Sequence, residues 1–324
     1  MQHVSAKRVA ALLDYRTLIE ALRLAHREGA MPDISWRVDG ERDNPRNKFV
    51  QLHAWEPGAA IAVKLVGVFP GNLDRKPPEP SIQGLVILFD GETGAPLLTA
   101  DGAEMTFRKT AADSALAADY LARRDARVLL VAGAGGLAPH VIAAHRAVRP
   151  SIERVLIWNR TPGRAEALAA GLRPSLDAQA VATMAEALPA ADIVSCVTMA
   201  TAPVVRGALL KEGAHVDLIG AYLPEMREAD DDVARRAGAI FFDNRLGIEE
   251  SGEVIEPLAR GLITRKELVA DLFDLCAGRH RGRQTERQIT MYKNCGGAHL
   301  DLYTARCLRD LLAAAGQLVQ TDTK

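Results

Sequence analysis

The sequence of 324 residues predicts an α/β protein of two domains, and two observations carry this prediction. In the N-terminal third, strand-like runs follow one another without helices between them, which is typical of an antiparallel or mixed sheet. From residue 128 onward, short apolar runs alternate with helical patterns, which is typical of a parallel sheet covered by helices. We therefore expect two domains of different architecture.

The N-terminal part predicts one helix and then strands. Asp14 can cap this helix. Its apolar face would consist of Leu18, Ile19, Leu22 and Ala25. Residues 32–47 are polar and predict an irregular stretch. Turn residues such as Pro57-Gly58 and Asp90-Gly91 bound the strands that follow. These strands are predicted at residues 49–55, 61–69 and 85–89.

The remainder of the chain predicts alternating strands and helices. Residues 110–124 are rich in alanine and predict a helix that links the domains. After a first strand–helix–strand unit, further strands are predicted at residues 192–198, 215–220 and 239–243. A helix is expected at residues 226–237, and the tail, residues 297–317, predicts one long helix.

Residues 127–161 predict a strand, a glycine turn, a helix and a second strand, which together form the βαβ unit of a Rossmann domain. The turn fits the pattern G-x-G-x-x-G/A. The first glycine allows the tight turn, the second lets a pyrophosphate approach the backbone, and the final alanine keeps the helix close to the sheet. The alternative is a merely structural glycine turn. The predicted cofactor contacts are Gly133, Gly135, Gly136, Leu137 and Ala138.

The end of the second strand favours NADP as the cofactor, with NAD still possible. NAD-binding units usually place an Asp or Glu here to bind the ribose hydroxyls. This chain has Asn159, Arg160 and Thr161 instead. A guanidinium pairs with a 2′-phosphate, which a carboxylate would repel. The alternative is an Arg160 that faces solvent in a turn.

Composition limits the possible partners and the compartment. The net charge of −1 argues against a nucleic-acid partner and against an anionic membrane surface. No apolar run approaches a membrane span, and residues 1–8 lack the core of a signal peptide. The four cysteines form no C-x-x-C pair, so we expect neither disulfides nor a metal site, and a cytoplasmic location.

Several short motifs along nearly the whole chain resemble the ornithine cyclodeaminase/mu-crystallin family, which includes ketimine reductases and an alanine dehydrogenase branch. Beside the glycine turn, the motifs are VKLV at 63–66, FPGN at 69–72, KTAA at 109–112, VTMAT at 197–201, ESGE at 250–253 and KNCG at 293–296. The resemblance implies a homodimer. It also implies a substrate-binding and dimerisation domain at residues 1–115 with 297–324, and a Rossmann NAD(P)-binding domain at residues 116–296.

The resemblance implies a small α-amino or α-imino acid as substrate, and its carboxylate needs fixed cations. Lys64 is one candidate because it lies within an apolar strand; the alternative is a lysine that points to solvent. Lys109 is a second candidate, although the family usually has Arg there, and Arg108 could take the role instead. Arg37 lies near the position of a further family Arg, with Arg42 and Arg46 as competitors.

The cofactor site is expected to extend beyond the glycine turn. Val197 and Thr198 end the third strand, at the carboxyl edge where nucleotide contacts collect. The resemblance places Asn294 and Cys295 near the nicotinamide. Cys295 is interpreted as a small packing residue rather than a nucleophile.

Tyr222 decides between two activities. Ornithine cyclodeaminases carry an Asp at this point of a G-x-D-x-P-G-K-like run, where it is the proposed acid/base. A phenol, with a pKa of about 10, is a poor base near neutral pH. The sequence therefore favours a reductase of cyclic imino acids over ornithine cyclodeaminase. An amino-acid or opine-type dehydrogenase and a non-catalytic NADPH-binding protein remain as alternatives.

Overall fold

This structure, a computed structural model, describes residues 1–318 and divides the chain into two compact units. Unit 1 comprises residues 1–109 and the C-terminal segment from residue 297; unit 2 comprises residues 110–296. The boundary lies at 109/110, whereas the sequence places it at 115/116, and both positions fall within one helix, Gly102–Leu121. Of the predicted first domain, residues 319–324 lie outside the described residues.

The described part of unit 1, up to residue 318, contains one six-stranded sheet, four α-helical segments and a short 3-10 helix, Pro70–Asp74. Its strands are β1 (Gln2–Val4), β2 (Asp33–Gly40), β3 (Lys48–Glu56), β4 (Ala60–Val68), β5 (Ile82–Asp90) and β6 (Pro96–Asp101). Its helices are α1 (Ala6–Leu12), α2 (Tyr15–Glu28), the first turns of α3 (Gly102–Leu121) and α11 (Ala298–Ala314). Asp14 caps α2 as predicted: its carboxylate accepts from the Thr17 backbone N–H at 3.1 Å.

The sheet of unit 1 is mixed, as the sequence predicts. Its order is β1-β6-β5-β4-β3-β2, with β1 parallel to β6 and the other pairs antiparallel. Alternate residues of the central strand β4 are buried, namely Ala60, Ala62, Lys64 and Val66, and α11 packs against this strand. Because strand side chains alternate, the other face of the sheet carries residues 61, 63, 65 and 67 of β4.

The predicted irregular stretch at residues 32–47 is wrong over its first half. Asp33–Gly40 forms β2, which pairs with β3 along its whole length. This edge strand is mostly exposed, so its sequence lacks the apolar character by which buried strands are recognised. Its pairing comes from β3, a partner the local sequence does not show.

Unit 2 contains an eight-stranded sheet with helices on both faces. Its strands are β7 (Val128–Ala132), β8 (Arg154–Trp158), β9 (Asp177–Ala180), β10 (Ile193–Cys196), β11 (His215–Leu218), β12 (Ile240–Phe242), β13 (Leu268–Asp271) and β14 (Thr290–Lys293). Its helices, after the rest of α3, are α4 (Ala138–Val148), α5 (Pro162–Leu172), α6 (Met184–Ala187), α7 (Asp231–Ala237), α8 (Arg245–Ile248), α9 (Gly252–Ala259) and α10 (Leu272–Cys276).

All strand pairs of this sheet are parallel, in the order β13-β12-β14-β11-β10-β7-β8-β9. Residues 129 and 131 of β7 pack with α4 and α5, and residues 130 and 132 pack with the cluster that includes α7 and α9. The predicted Rossmann architecture is therefore confirmed. Within residues 1–318, no helix combines the length and the apolar character needed to cross a membrane.

Three helix predictions needed adjustment. The helix expected at 226–237 begins only at Asp231, because residues 226–230 are irregular: Ala229 forms a bridge with Val205, and the buried Glu228 carboxylate accepts from backbone amides. The tail helix spans Ala298–Ala314 rather than 297–317, and the linking helix begins at Gly102 rather than at residue 110. Strand β14 is missing from the sequence-based prediction, in which Lys293 is only the first residue of the KNCG motif and residues 290–292 are assigned no element.

Candidate active site

The glycine turn of unit 2 has the geometry that a dinucleotide site requires. Gly133 has a φ of +113°, and a Cβ at this position would lie 2.8 Å from the Val197 side chain. A Cβ at Gly135, by contrast, would meet nothing within 4 Å, so the backbone there is open to a ligand. Ala138 is buried and begins α4. The turn and the N-terminus of this helix thus form a cradle that fits a pyrophosphate.

The polar residues after β8 include one that is bonded to the glycine turn and one that is exposed. The Asn159 side chain accepts from the Ala134 backbone N–H at 3.1 Å and donates to the Thr161 carbonyl at 2.9 Å. It therefore fixes the glycine turn to the end of β8. Arg160 is exposed beside it, and no carboxylate stands at the position that would bind the ribose hydroxyls.

A buried carboxylate that the sequence did not identify as part of the site joins the ends of β10 and β11. Glu228 Oε1 accepts from the Thr198 backbone N–H and hydroxyl, each at 2.7 Å, and Oε2 accepts from the Gly220 N–H at 2.8 Å. A second buried carboxylate, Glu253, accepts from the Glu228 backbone N–H. Burial raises the pKa of both groups, that of Glu253 to about 7. Only the fold reveals these contacts.

Asn294 is held by a polar network inside unit 2. Its amide donates to the Thr110 carbonyl at 3.2 Å and to the Ser114 hydroxyl at 3.1 Å. Ser114 in turn donates to the buried carboxylate of Asp217 at 2.8 Å. Both amide hydrogens of Asn294 are therefore directed inward, which leaves its carbonyl oxygen as the group available to a ligand.

The next residue, Cys295, is half-buried. Burial, together with nearby Asp243, raises the pKa of its thiol well above the ordinary value. A protonated thiol is a poor nucleophile, which supports a packing role.

Tyr222 lies on the loop that follows β11 and is half exposed. Partial burial and the nearby Glu225 raise the pKa of its phenol above 10. Near neutral pH the phenol is therefore protonated to an even greater degree than a free tyrosine, and less phenolate is present to act as a base. Glu228, the next acid in the same loop, is buried, with both oxygens accepting hydrogen bonds.

In unit 1, the structure brings Lys64 and Lys109 together. Lys64 Nζ lies 3.1 Å from Asp301 Oδ2, and Lys109 Nζ lies 3.0 Å from Asp301 Oδ1. Lys109 also donates to the Gly297 carbonyl at 3.0 Å. All three charged side chains are nearly inaccessible to solvent, with exposures of 8%, 4% and 2% for Lys64, Lys109 and Asp301. Lys64 therefore does not point to solvent.

The arginine candidates either bond to groups other than the lysine cluster or are exposed. Arg108 donates to Glu104 at 2.6 Å and to the Leu13 carbonyl at 2.5 Å, and it stacks over the Tyr15 ring. Arg37 is exposed on β2 and pairs with Asp39 at 2.9 Å. Arg42 and Arg46 are exposed as well.

The sequence and the fold of this chain are both similar to those of known proteins. The sequence profile of the ornithine cyclodeaminase/mu-crystallin family matches residues 8–316. The chain belongs to this family. The chain is 42% identical over 303 residues to the Δ1-pyrroline-2-carboxylate reductase of Paracoccus denitrificans, and the matched region covers 93% of this chain and 94% of that protein.

Two solved structures are similar to this chain along almost its entire length. One is the Δ1-pyrroline-2-carboxylate reductase of Thermococcus litoralis in complex with NADH and L-proline, with a TM-score of 0.91, 29% identity and coverage of 99% of this chain and 100% of that one. The other is the iminosuccinate reductase of Paracoccus denitrificans in complex with NAD⁺, with a TM-score of 0.84, 26% identity and 98% coverage of both chains.

Proposed function

We propose that this protein is an NAD(P)H-dependent reductase of cyclic imino acids. It would convert Δ1-pyrroline-2-carboxylate to L-proline or Δ1-piperideine-2-carboxylate to L-pipecolate. The observation that carries the proposal is the buried pair Lys64 and Lys109, a site for one carboxylate, in a chain that also has a dinucleotide turn. The relative at 42% identity and the neighbour that binds L-proline support the same chemistry.

The substrate carboxylate is assigned to the two lysines. Arg108 is engaged by Glu104, by a carbonyl and by an aromatic ring, whereas the Lys109 ammonium lies in the cluster with Lys64. This favours Lys109 as the second anchor. Arg37 lies outside the cluster, so the anchor proposed here consists of the two lysines.

The cofactor is assigned to unit 2. The turn from Gly133 to Ala138 would hold the pyrophosphate, and Arg160 would pair with the 2′-phosphate of NADPH. Val197 and Thr198 are assigned to cofactor contacts at the carboxyl edge of the sheet, and Asn294 and Cys295 to the nicotinamide end. When bound, the reduced cofactor supplies the hydride, and this chain's task is to fix the imine carbon and to exclude water.

A reductase is favoured over a cyclodeaminase because the position of the cyclodeaminase Asp holds Tyr222, whose phenol is a poor base near neutral pH, and the other acid close to it that is not buried, Glu225, is exposed on the loop. The pKa of Tyr222 is raised, and Glu228 is buried with both oxygens accepting hydrogen bonds. Imine reduction needs no such base, because the imine nitrogen can carry its proton into the site.

A homodimer is part of the proposal. On the sheet face of unit 1 that is turned away from α11, the side chains Phe49, Trp55 and Leu85 are 43%, 43% and 40% exposed. Trp55 is in register with Ile61, and Ile61 with Phe89, on the neighbouring strands. Leu85 is in register with Leu65. An apolar patch of this kind is typical of a protein interface, and a second copy of the chain is the proposed occupant. We also propose a cytoplasmic location, which the four free thiols support.

The test is cofactor oxidation, followed by absorbance, with a panel of cyclic imino acids and with NADPH or NADH, beside ammonia release from ornithine. We expect turnover of a cyclic imino acid and no catalytic ammonia. The variant Tyr222→Asp restores a carboxylate without its surroundings and should give at most a trace of proline from ornithine. Efficient proline formation from ornithine by the unmodified protein would contradict the proposal.

A further inference from the structure

Besides the two lysines proposed to bind the substrate carboxylate, the lysine cluster of unit 1 contains a carboxylate, Asp301. Two ammonium groups and one carboxylate give the cluster of Lys64, Lys109 and Asp301 a net charge of +1. Asp301 lies in the first turn of α11, where the helix dipole favours a negative charge, and each of its oxygens faces a different lysine.

The neighbouring titratable groups do not change this net charge near neutral pH. The imidazoles of His26 and His299 lie with their ring centroids 5.6 Å apart, and His299 also faces Lys109. Burial lowers the pKa of His26 to about 4 and that of His299 well below its ordinary value, so both rings are neutral. Arg108, beside Lys109 in sequence, is balanced by Glu104.

Two buried ammonium groups repel one another, and burial penalises each charge. Burial above all, and to a lesser degree the repulsion from Lys109, lower the pKa of Lys64 to about 8, while the attraction of Asp301 acts in the opposite direction. Removal of Asp301 would therefore favour loss of a proton from the pair. A substrate carboxylate, by contrast, brings the cluster from a net charge of +1 to neutrality.

We propose that Asp301 is a positioning residue of the carboxylate site. It holds the two lysine ammonium groups in one place, keeps both charged, and leaves the cluster one net positive charge that a single substrate carboxylate neutralises. This inference rests on the reductase function proposed above. It assigns a specific task to a residue that touches the lysines rather than the substrate.

The test is the pH dependence of KM for Δ1-pyrroline-2-carboxylate between pH 6.5 and 10 at saturating NADPH. In the unmodified protein, KM should rise above a pH of about 8, as Lys64 loses its proton. In Asp301→Asn, the rise should begin about one pH unit lower or more, and KM at pH 7.5 should increase about tenfold, with a smaller change in kcat. In Lys109→Met, the rise should move to higher pH, because Lys64 loses its like-charged neighbour.

The controls separate this role from a structural one. Asp310→Asn makes the same charge change on an exposed part of α11 and should leave the profile unaltered. The substrate's own titration is common to all variants, and NADPH affinity should be unchanged in all of them. A profile of Asp301→Asn that superimposes on that of the unmodified protein would overturn the inference. If Asp301→Asn does not fold, the Lys109→Met variant decides: a rise of KM at the same pH as in the unmodified protein, or at lower pH, would overturn the inference. Absence of turnover by the unmodified protein would instead contradict the proposed function.

Discussion

At the scale of single residues, Arg160 carries the predicted choice of cofactor. It is exposed after β8, beside an Asn159 whose amide is already used to hold the glycine turn. We expect Arg160→Ala to weaken NADPH binding on the order of ten- to hundredfold and to leave NADH nearly unchanged, because only NADPH loses a charge-assisted pair. Fluorescence titration with both cofactors measures this. Arg146→Ala, in the last turn of α4, is the matched control; equal losses for both cofactors would remove Arg160 from the phosphate site.

Lys64 carries the predicted anchor for the substrate. Its side chain is buried in β4 and paired with Asp301. We expect Lys64→Met, which keeps the bulk of the stem, to lower kcat/KM for the imino acid on the order of a hundredfold, because a buried charge pair with the substrate is lost. Cofactor affinity should stay the same. Lys7→Met, on the exposed side of α1, is the control, and unaltered kinetics of Lys64→Met would remove the anchor from this lysine.

At the scale of elements, the loop from β11 to α7 shows why one helix prediction was wrong. Residues 226–237 have helical composition, yet the carboxylates of Glu228 and Glu253 accept from backbone amides in and around the loop, and residues 226–230 remain irregular. These bonds tie the loop to backbone groups that are up to 30 residues away in sequence. Such contacts cannot be seen from local periodicity.

Glu253 should make the stability of this region depend on pH. Burial raises the pKa of Glu253 to about 7, so the folded state holds a proton that the unfolded state has lost above about pH 4.5. The stabilisation from this proton is fully present below pH 4.5 and is lost as the pH rises through 7. Relative to Glu253→Gln, the free energy of unfolding of the native protein should therefore fall between pH 5 and 8, by up to about 3 kcal/mol.

Chemical unfolding at several pH values measures this difference. Glu256→Gln, on the exposed side of the same helix α9, is the control and should give no comparable trend. Parallel pH profiles for the native protein and Glu253→Gln would show that Glu253 does not titrate in this range.

At the scale of the whole molecule, the apolar sheet face of unit 1 predicts self-association. We expect Phe49→Glu and Leu85→Glu to convert a dimer into a monomer, because a carboxylate buried in an apolar interface lacks a partner. Light scattering after size-exclusion chromatography measures the mass. Leu24→Glu, at a similarly exposed position on α2, should leave the dimer intact. A monomeric native protein would contradict the prediction.

The sequence by itself determined the α/β class, the Rossmann turn and the family, because these depend on local patterns: apolar runs, glycines at fixed spacing and short motifs. It also identified Lys64 and Lys109 as candidates. Only the tertiary structure decided that these lysines share Asp301, that Glu228 joins two strand ends, and that residues 33–40 form a strand. Each of these depends on a partner far away in sequence, and burial, which sets the charge state of such groups, exists only once the chain has folded.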